Sequence, residues 1–463
     1  MNKYKRLFRN TALYFVGNLG CKILSFLMVR FYTEIFTKSE YGIVDLIVTT
    51  AGFVVPVMTL GINEAVFRFA MDDDKNRRNV LNQGIIMALL GNFLLAGALL
   101  LFDFGTDIAA YKYLLLLFCF TDSVYIIICN YCRGIEKTGL YASLGIVNSL
   151  TQLVFVVVFL AIFRLGIGGY FYAFSLANVV TITVALIALR SDIKLSLKPK
   201  RELLKNMLVY SIPLIANTCC WWVLASMDKY VIAWQLGEEA NGIFAAASKL
   251  PTLLTMISSI FFQAWQLSSV EEAKSEDKQK FYSEMHDFIY IGLALASSGL
   301  MLIIKPLYTL LVGTGSAEGW VYTPFLIMAM NFSALASFFG TNYIAMKKTN
   351  GALYTSLVAA VINTILNIVF TAWFGISGTA FATMISYAVL WLIRTIDTRK
   401  FVQIKTKVFK MAMTYILLIT QAALVAVGVA SLWVHLLIFI ALVLIHFKDA
   451  IHIAREFLSG LKR

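Results

Sequence analysis

Uncharged, apolar stretches of about twenty residues recur some fourteen times along this 463-residue chain. Crossing the roughly 30 Å hydrocarbon core of a bilayer takes about 20 helical residues, so each stretch is long enough for one passage. With 60% hydrophobic and 14% charged residues, the chain carries more apolar surface than a soluble core of this size could hide. In lipid only helices and closed barrels satisfy their own backbone polar groups, and these runs are too long and continuously apolar for barrel strands. The sequence therefore predicts an all-α polytopic membrane protein. Its spans fall near 10–32, 42–66, 81–102, 111–131, 142–163, 168–189, 207–235, 243–268, 286–304, 321–345, 352–373, 379–396, 411–431 and 433–447, the last being short.

A net charge of +13 would suit a nucleic-acid partner, but the placement of the basic residues says otherwise. Assigning loops alternately to the two sides puts 30 of the 39 Lys and Arg on the side of the amino terminus. Only Lys38, Lys112, Arg164 and Lys305 fall on the other. Basic residues collect in cytoplasmic loops, so both termini are expected in the cytoplasm and the number of spans is even. The surplus charge is topological, with attraction to anionic membrane lipid as a by-product. No cleavable signal peptide is expected, because the first apolar stretch is long and has Lys22 and Arg30 embedded in it.

The chain also repeats itself. KTGLYASL at 137–144 returns as KTNGALYTSL at 348–357, and FRLGIGG at 163–169 returns as WFGISG at 373–378, with the intervening gap four residues shorter. A weaker echo pairs Tyr41-Gly42-Ile43 with Asn241-Gly242-Ile243. These matches put spans 1–6 in register with spans 7–12, and an even number per copy gives parallel repeats. The expected organisation is an N-lobe at 1–189, a cytoplasmic connector at 190–206, a C-lobe at 207–396 and a C-terminal extension of two helices and a tail at 397–463. Two pseudo-symmetric six-helix lobes fit alternating access around a central cavity; a bland scaffold is the other reading.

The largest loop on the outer side, 305–320, holds one Lys and one Glu, too little for an extracytoplasmic catalytic site. Cytoplasmic loops contain no Gly-rich phosphate loop, dinucleotide fingerprint or zinc motif, so no enzyme activity, metal or cofactor is expected. The six cysteines lie in or at spans and read as packing residues, and His286 and His452 read as solvated.

Charges at bilayer depth cost on the order of 2.5–3.5 kcal/mol each on insertion scales, so each needs a partner or a purpose. The spans hold Lys22, Arg30, Arg68, Lys229 and Lys249 against Asp45, Glu64, Asp122 and Asp228. By depth and spacing they fall into pairs: Arg30 with Asp45, Glu64 with Arg68, Asp228 with Lys249, and Lys22 with Asp122. One reading makes these mutually neutralising structural pairs. The other lets Lys22, Arg30, Arg68 and Lys249 line a hydrated cavity and bind an anionic group, with Asp122, flanked by Thr121 and Ser123, as a proton or sodium coupling site. Pro56, Pro213 and Pro251 interrupt helices that carry these charges.

The order Asn18, Lys22, Tyr32-Thr33, then SEYG at 39–42 and LGINEAVFRF at 60–69, resembles the opening of the Wzx-type polysaccharide-biosynthesis flippases. These belong to the multidrug/oligosaccharidyl-lipid/polysaccharide exporter superfamily. MDKYVIAWQLGEEANGIFAAASKL at 227–250 is similar to the matching stretch of the second lobe. The resemblance implies movement of an undecaprenyl-pyrophosphate-linked oligosaccharide across the bacterial cytoplasmic membrane by alternating access, beside a glycan assembly machinery. It assigns the pyrophosphate to Lys22, Arg30, Arg68 and Lys249. A drug or cation antiporter of the same superfamily is the alternative, although its cavity should be acidic or apolar. A membrane-embedded glycan polymerase or acyltransferase fits the short outer loops poorly.

Overall fold

The computed structural model describes residues 28–72, 77–101, 110–190, 199–272, 275–313, 317–346, 348–429 and 431–462. Among them all regular structure is helical, and eleven helices are long and apolar enough to cross a membrane. The difference from fourteen has three sources. Expected span 10–32 lies mostly outside the described residues. Spans 352–373 and 379–396 are one stretch, Thr349–Asp397, kinked at Gly375. Span 243–268 is two helices, Glu238–Ala247 and Thr252–Glu272.

The described residues form two compact units, 28–222 and 223–462, and the helix Arg201–Leu236 contributes to both. That helix starts inside the expected connector and runs uninterrupted through Pro213. The loop at 305–320 holds a helix, Ile304–Val312, and a short 3-10 turn, Ala317–Val321. The last helix, Leu432–Lys462, is much longer than span 433–447.

In the first unit the expected span 42–66 breaks into Lys38–Met58 and Ile62–Asp72. Thr37 opens the first helix with a reciprocal cap, its hydroxyl accepting from the Glu40 amide while the Glu40 carboxylate accepts from the Thr37 amide. Its other end is a Schellman turn: the Gly61 amide donates to the Pro56 carbonyl at 2.8 Å and the Leu60 amide to that of Val57 at 3.1 Å. Leu60 takes φ +51°, which costs a side-chain-bearing residue roughly 1–2 kcal/mol. Neighbours hold the break in place. Ser211 Oγ donates to the Leu60 carbonyl at 2.7 Å. The helix Arg77–Leu101 passes so close that a Cβ on Gly91 would lie 2.4 Å from the Met58 carbonyl oxygen. Beneath it Ile62, Val66, Leu81, Ile127, Tyr131 and Met207 make a buried apolar core.

In the second unit Trp265 is fully buried, stacked on Phe338 at 4.7 Å with its indole N–H donating to Thr341 Oγ1 at 2.9 Å. His286, read from sequence as solvated, is also buried, with its ring against those of Phe338 and Phe339. The rings of Tyr290, Phe338 and Phe339 pack against it on the helix Lys278–Leu302 and take it out of water. The C-terminal helix pair is fastened into this unit by polar bonds: Gln421 accepts from Ser298 Oγ at 2.6 Å, and Tyr415 donates to Asn331 at 3.2 Å. Such bonds hold helices together where lipid supplies no hydrophobic drive between them.

Candidate substrate-binding and coupling site

Among the described residues the first unit carries five of the charged residues singled out from sequence: Arg30, Asp45, Glu64, Arg68 and Asp122. Lys22 lies outside the described residues. Arg30 Nε donates to Glu34 at 2.7 Å, an i, i+4 pair with both side chains about half exposed. Asp45 is buried on the helix Lys38–Met58, about two turns beyond its opening cap at Thr37. Glu64 and Arg68 share the exposed side of Ile62–Asp72, where Glu64 accepts a hydrogen bond from Asn63.

Asp122 is half-buried in the middle of the helix Lys112–Gly134. Its flanking hydroxyls are turned to their own backbone, Thr121 toward Leu117 and Phe118 and Ser123 toward Phe120. Ser123 also accepts from the buried Asn92 at 3.0 Å, tying two helices together. The Asp122 carboxylate itself makes no hydrogen bond or ion pair with the described residues. A carboxylate so placed gains by taking up a proton or a small cation, the chemistry a coupling site needs.

In the second unit Asp228 is buried and accepts from the Lys229 amide at 2.9 Å. Lys249 is half-buried and occupies the break between Glu238–Ala247 and Thr252–Glu272, with Pro251 closing the turn. Its carbonyl accepts from Thr252 through both hydroxyl and amide. The amides across the break stay paired, Ser248 with Phe244, Lys249 with Ala246 and Thr252 with Lys249, so it is the lysine cation that suits this place to an oxyanion.

Sequence reasoning missed Arg394, counting it with the cytoplasmic loop charges. It is 2% exposed. Its guanidinium donates to the Ala336 carbonyl at 3.0 Å, Ser356 Oγ at 2.9 Å and Thr355 Oγ1 at 3.2 Å. Gly340 makes the room, since a Cβ there would lie 2.6 Å from the guanidinium. One turn on, Asp397 accepts from Tyr343 at 2.6 Å and from Lys400 at 2.6 Å. Thr355 and Ser356 belong to the repeated LYxSL string, the one signal in the sequence that pointed here.

Residues 7–268 match the model of the polysaccharide biosynthesis protein family, more than half of the chain. The chain belongs to that family. It is also similar to a probable low-salt glycan biosynthesis flippase of Haloferax volcanii, with 24% identity over 421 residues that cover 86% of this chain and 85% of the relative. Among solved structures, the lipid II flippase MurJ in an inward-closed conformation superposes with a TM-score of 0.69 at 15% identity, covering 95% of this chain and all of MurJ. An outward-facing multidrug resistance MATE transporter of the MOP superfamily gives a TM-score of 0.64 at 15% identity, covering 90% of this chain and 97% of the transporter. The helical family fold is thus of the kind shared by MurJ and MATE proteins.

Proposed function

We propose that this polysaccharide biosynthesis family protein is a flippase for an oligosaccharide carried on undecaprenyl pyrophosphate. The observation that carries the reading is the family match, on a chain whose described residues offer membrane-crossing helices and intramembrane charge. Alternating access moves the glycan from the inner to the outer leaflet of a bacterial cytoplasmic membrane, with both termini in the cytoplasm. The lobe plan stays six spans and six, followed by a C-terminal pair.

Within that reading Lys22, Arg30, Arg68 and Lys249 engage the pyrophosphate. Lys249 is the best supported, because it sits half-buried at a helix break. Asp122 couples movement to a proton or sodium gradient, and Asp45, Glu64, Asp228 and Lys229 balance the charge. The protein acts as a transporter beside the enzymes that assemble and polymerise the glycan.

Deletion of the gene, followed by extraction of lipid-linked intermediates, tests this. Accumulation of the complete repeat unit on the inner leaflet is expected; normal surface glycan with no intermediate counts against it. Asp122 also favours a second reading, a drug or cation antiporter on the same fold. That reading expects unchanged glycan and a rise in drug sensitivity on deletion.

A further inference from the structure

An open cavity of about 580 Å³ lies within the first unit, at the end marked by the turns at 36–37 and 163–165. Its lining includes Phe31, Glu34, Phe36, Glu40, Leu160 and Arg164. The volume is within the roughly 300–1,000 Å³ of small-molecule sites. None of these residues belongs to the pyrophosphate or coupling assignments above.

The wall on one side is unusual backbone. Val157–Ile162 is a π-helix, followed by Arg164 at φ +52° and Gly166 at φ +57°. π-Helical turns are rare and concentrate at functional sites. The second copy of the repeat is four residues shorter here and runs straight into its kink at Gly375. The longer stretch of the first copy is the one that carries the π-helix and the cavity wall.

The polar groups on the opposite wall are held by one oxygen each. Glu34 Oε1 accepts from Arg30, and Glu40 Oε2 accepts from the amide and hydroxyl of Thr37. Their second oxygens make no hydrogen bond with the described residues, and neither does the exposed Arg164 side chain. Phe36 is buried and backed by Tyr170, which stacks on Phe174 at 4.3 Å. The cavity thus offers fixed acceptors, a forked donor and aromatic rings. Arg30 and Arg164 balance Glu34 and Glu40, so no net charge recruits a phosphate or an ammonium head group. Hydroxyl-rich rings with apolar C–H faces match this lining best.

We propose that this cavity is a saccharide subsite, receiving a sugar of the carried glycan through Glu34, Glu40 and Arg164 with Phe31 and Phe36 beneath it. The proposal rests on the flippase reading and names where the glycan, as distinct from its pyrophosphate, is held.

The test uses full-length protein in detergent and two probes: the free repeat-unit oligosaccharide released from the surface polysaccharide of the source organism, and farnesyl pyrophosphate, which has no sugar. Glu34→Gln and Arg164→Ala should each weaken oligosaccharide binding roughly tenfold, the worth of one charge-assisted hydrogen bond. Farnesyl pyrophosphate should bind Arg164→Ala within about twofold of the unsubstituted protein, while Glu34→Gln, which releases Arg30 from its ion pair, is compared on the oligosaccharide alone. Unchanged oligosaccharide binding in both variants overturns the subsite, as does an equal loss of both probes in Arg164→Ala. Unsubstituted protein that binds farnesyl pyrophosphate but not the oligosaccharide overturns the subsite alone. Protein that binds neither overturns the flippase reading with it.

Discussion

Gly166 and Gly375 both take positive φ, +57° and +60°, at matching points in two copies of one sequence string. Three residues later the match continues. A Cβ on Gly169 would lie 2.9 Å from Leu165 Cβ, and one on Gly378 would lie 2.0 Å from the Phe370 carbonyl oxygen. Each copy thus encodes a reversal followed by a close approach between the chain entering the turn and the chain leaving it.

These glycines should be separable by stability. Gly375→Ala forces a side chain into a backbone region essentially reserved for glycine, φ +60° and ψ −143°, at a cost of roughly 1–3 kcal/mol. Gly378→Ala should cost more, because its obstacle is backbone and cannot rotate away. Gly97→Ala, where a Cβ meets nothing within 4 Å, should be neutral or slightly stabilising. Thermal unfolding in detergent, followed by size-exclusion fluorescence, measures all three; equal melting temperatures would refute the assignment.

Arg394 predicts a coupled pair. Replacing it with Gln removes a charged donor from buried acceptors and should cost about 1.5–3 kcal/mol or more. Arg394→Lys should recover little, since the fork to Ala336, Thr355 and Ser356 needs a guanidinium. Gly340→Ala should destabilise by pushing on the same group. Combined with Arg394→Ala it should cost less than the sum of the single changes, because the clash partner is gone. Additive losses in thermal unfolding would contradict the contact.

The helical architecture was legible because lipid strips the spans of polarity, and the repeat was legible because its turn glycines recur as strings. The break at 248–251 was signalled by Pro251, but the one at Leu60 was not, since Pro56 itself lies inside its helix. Leu60 adopts a conformation its side chain disfavours, and partners distant in sequence, Ser211 and Gly91, sustain it. Depth arguments matched Arg30 with Asp45 and passed over Glu34, although its spacing of four residues is the simplest ion-pair signal on a helix. Arg394 escaped because a basic residue near a helix end usually reads as a loop charge; the room made by Gly340 is visible only in three dimensions.

Asp122→Asn should preserve fold and expression, since the hydrogen bonds of its neighbours run to their own backbone and to Asn92. Transport should lose its response to a proton or sodium gradient. The measurement is glycan export in cells treated with a protonophore or depleted of sodium. Gradient dependence identical to that of the unsubstituted protein removes Asp122 from the coupling role.

Lys249→Ala and Arg68→Ala should abolish complementation of a deletion strain while membrane levels stay normal. Lys249→Arg should retain part of the activity, because it keeps the cation at the helix break. Full complementation by both alanine variants would end the pyrophosphate assignment for these positions.

Flipping itself is the most direct measurement. Purified protein is reconstituted into liposomes with the lipid-linked repeat unit confined to one leaflet, and its appearance on the other is followed by accessibility to an impermeant lectin. Transfer should far exceed that of empty liposomes and fall to background with Lys249→Ala. Transfer no faster than in empty liposomes, from protein shown to be folded, would contradict the central claim.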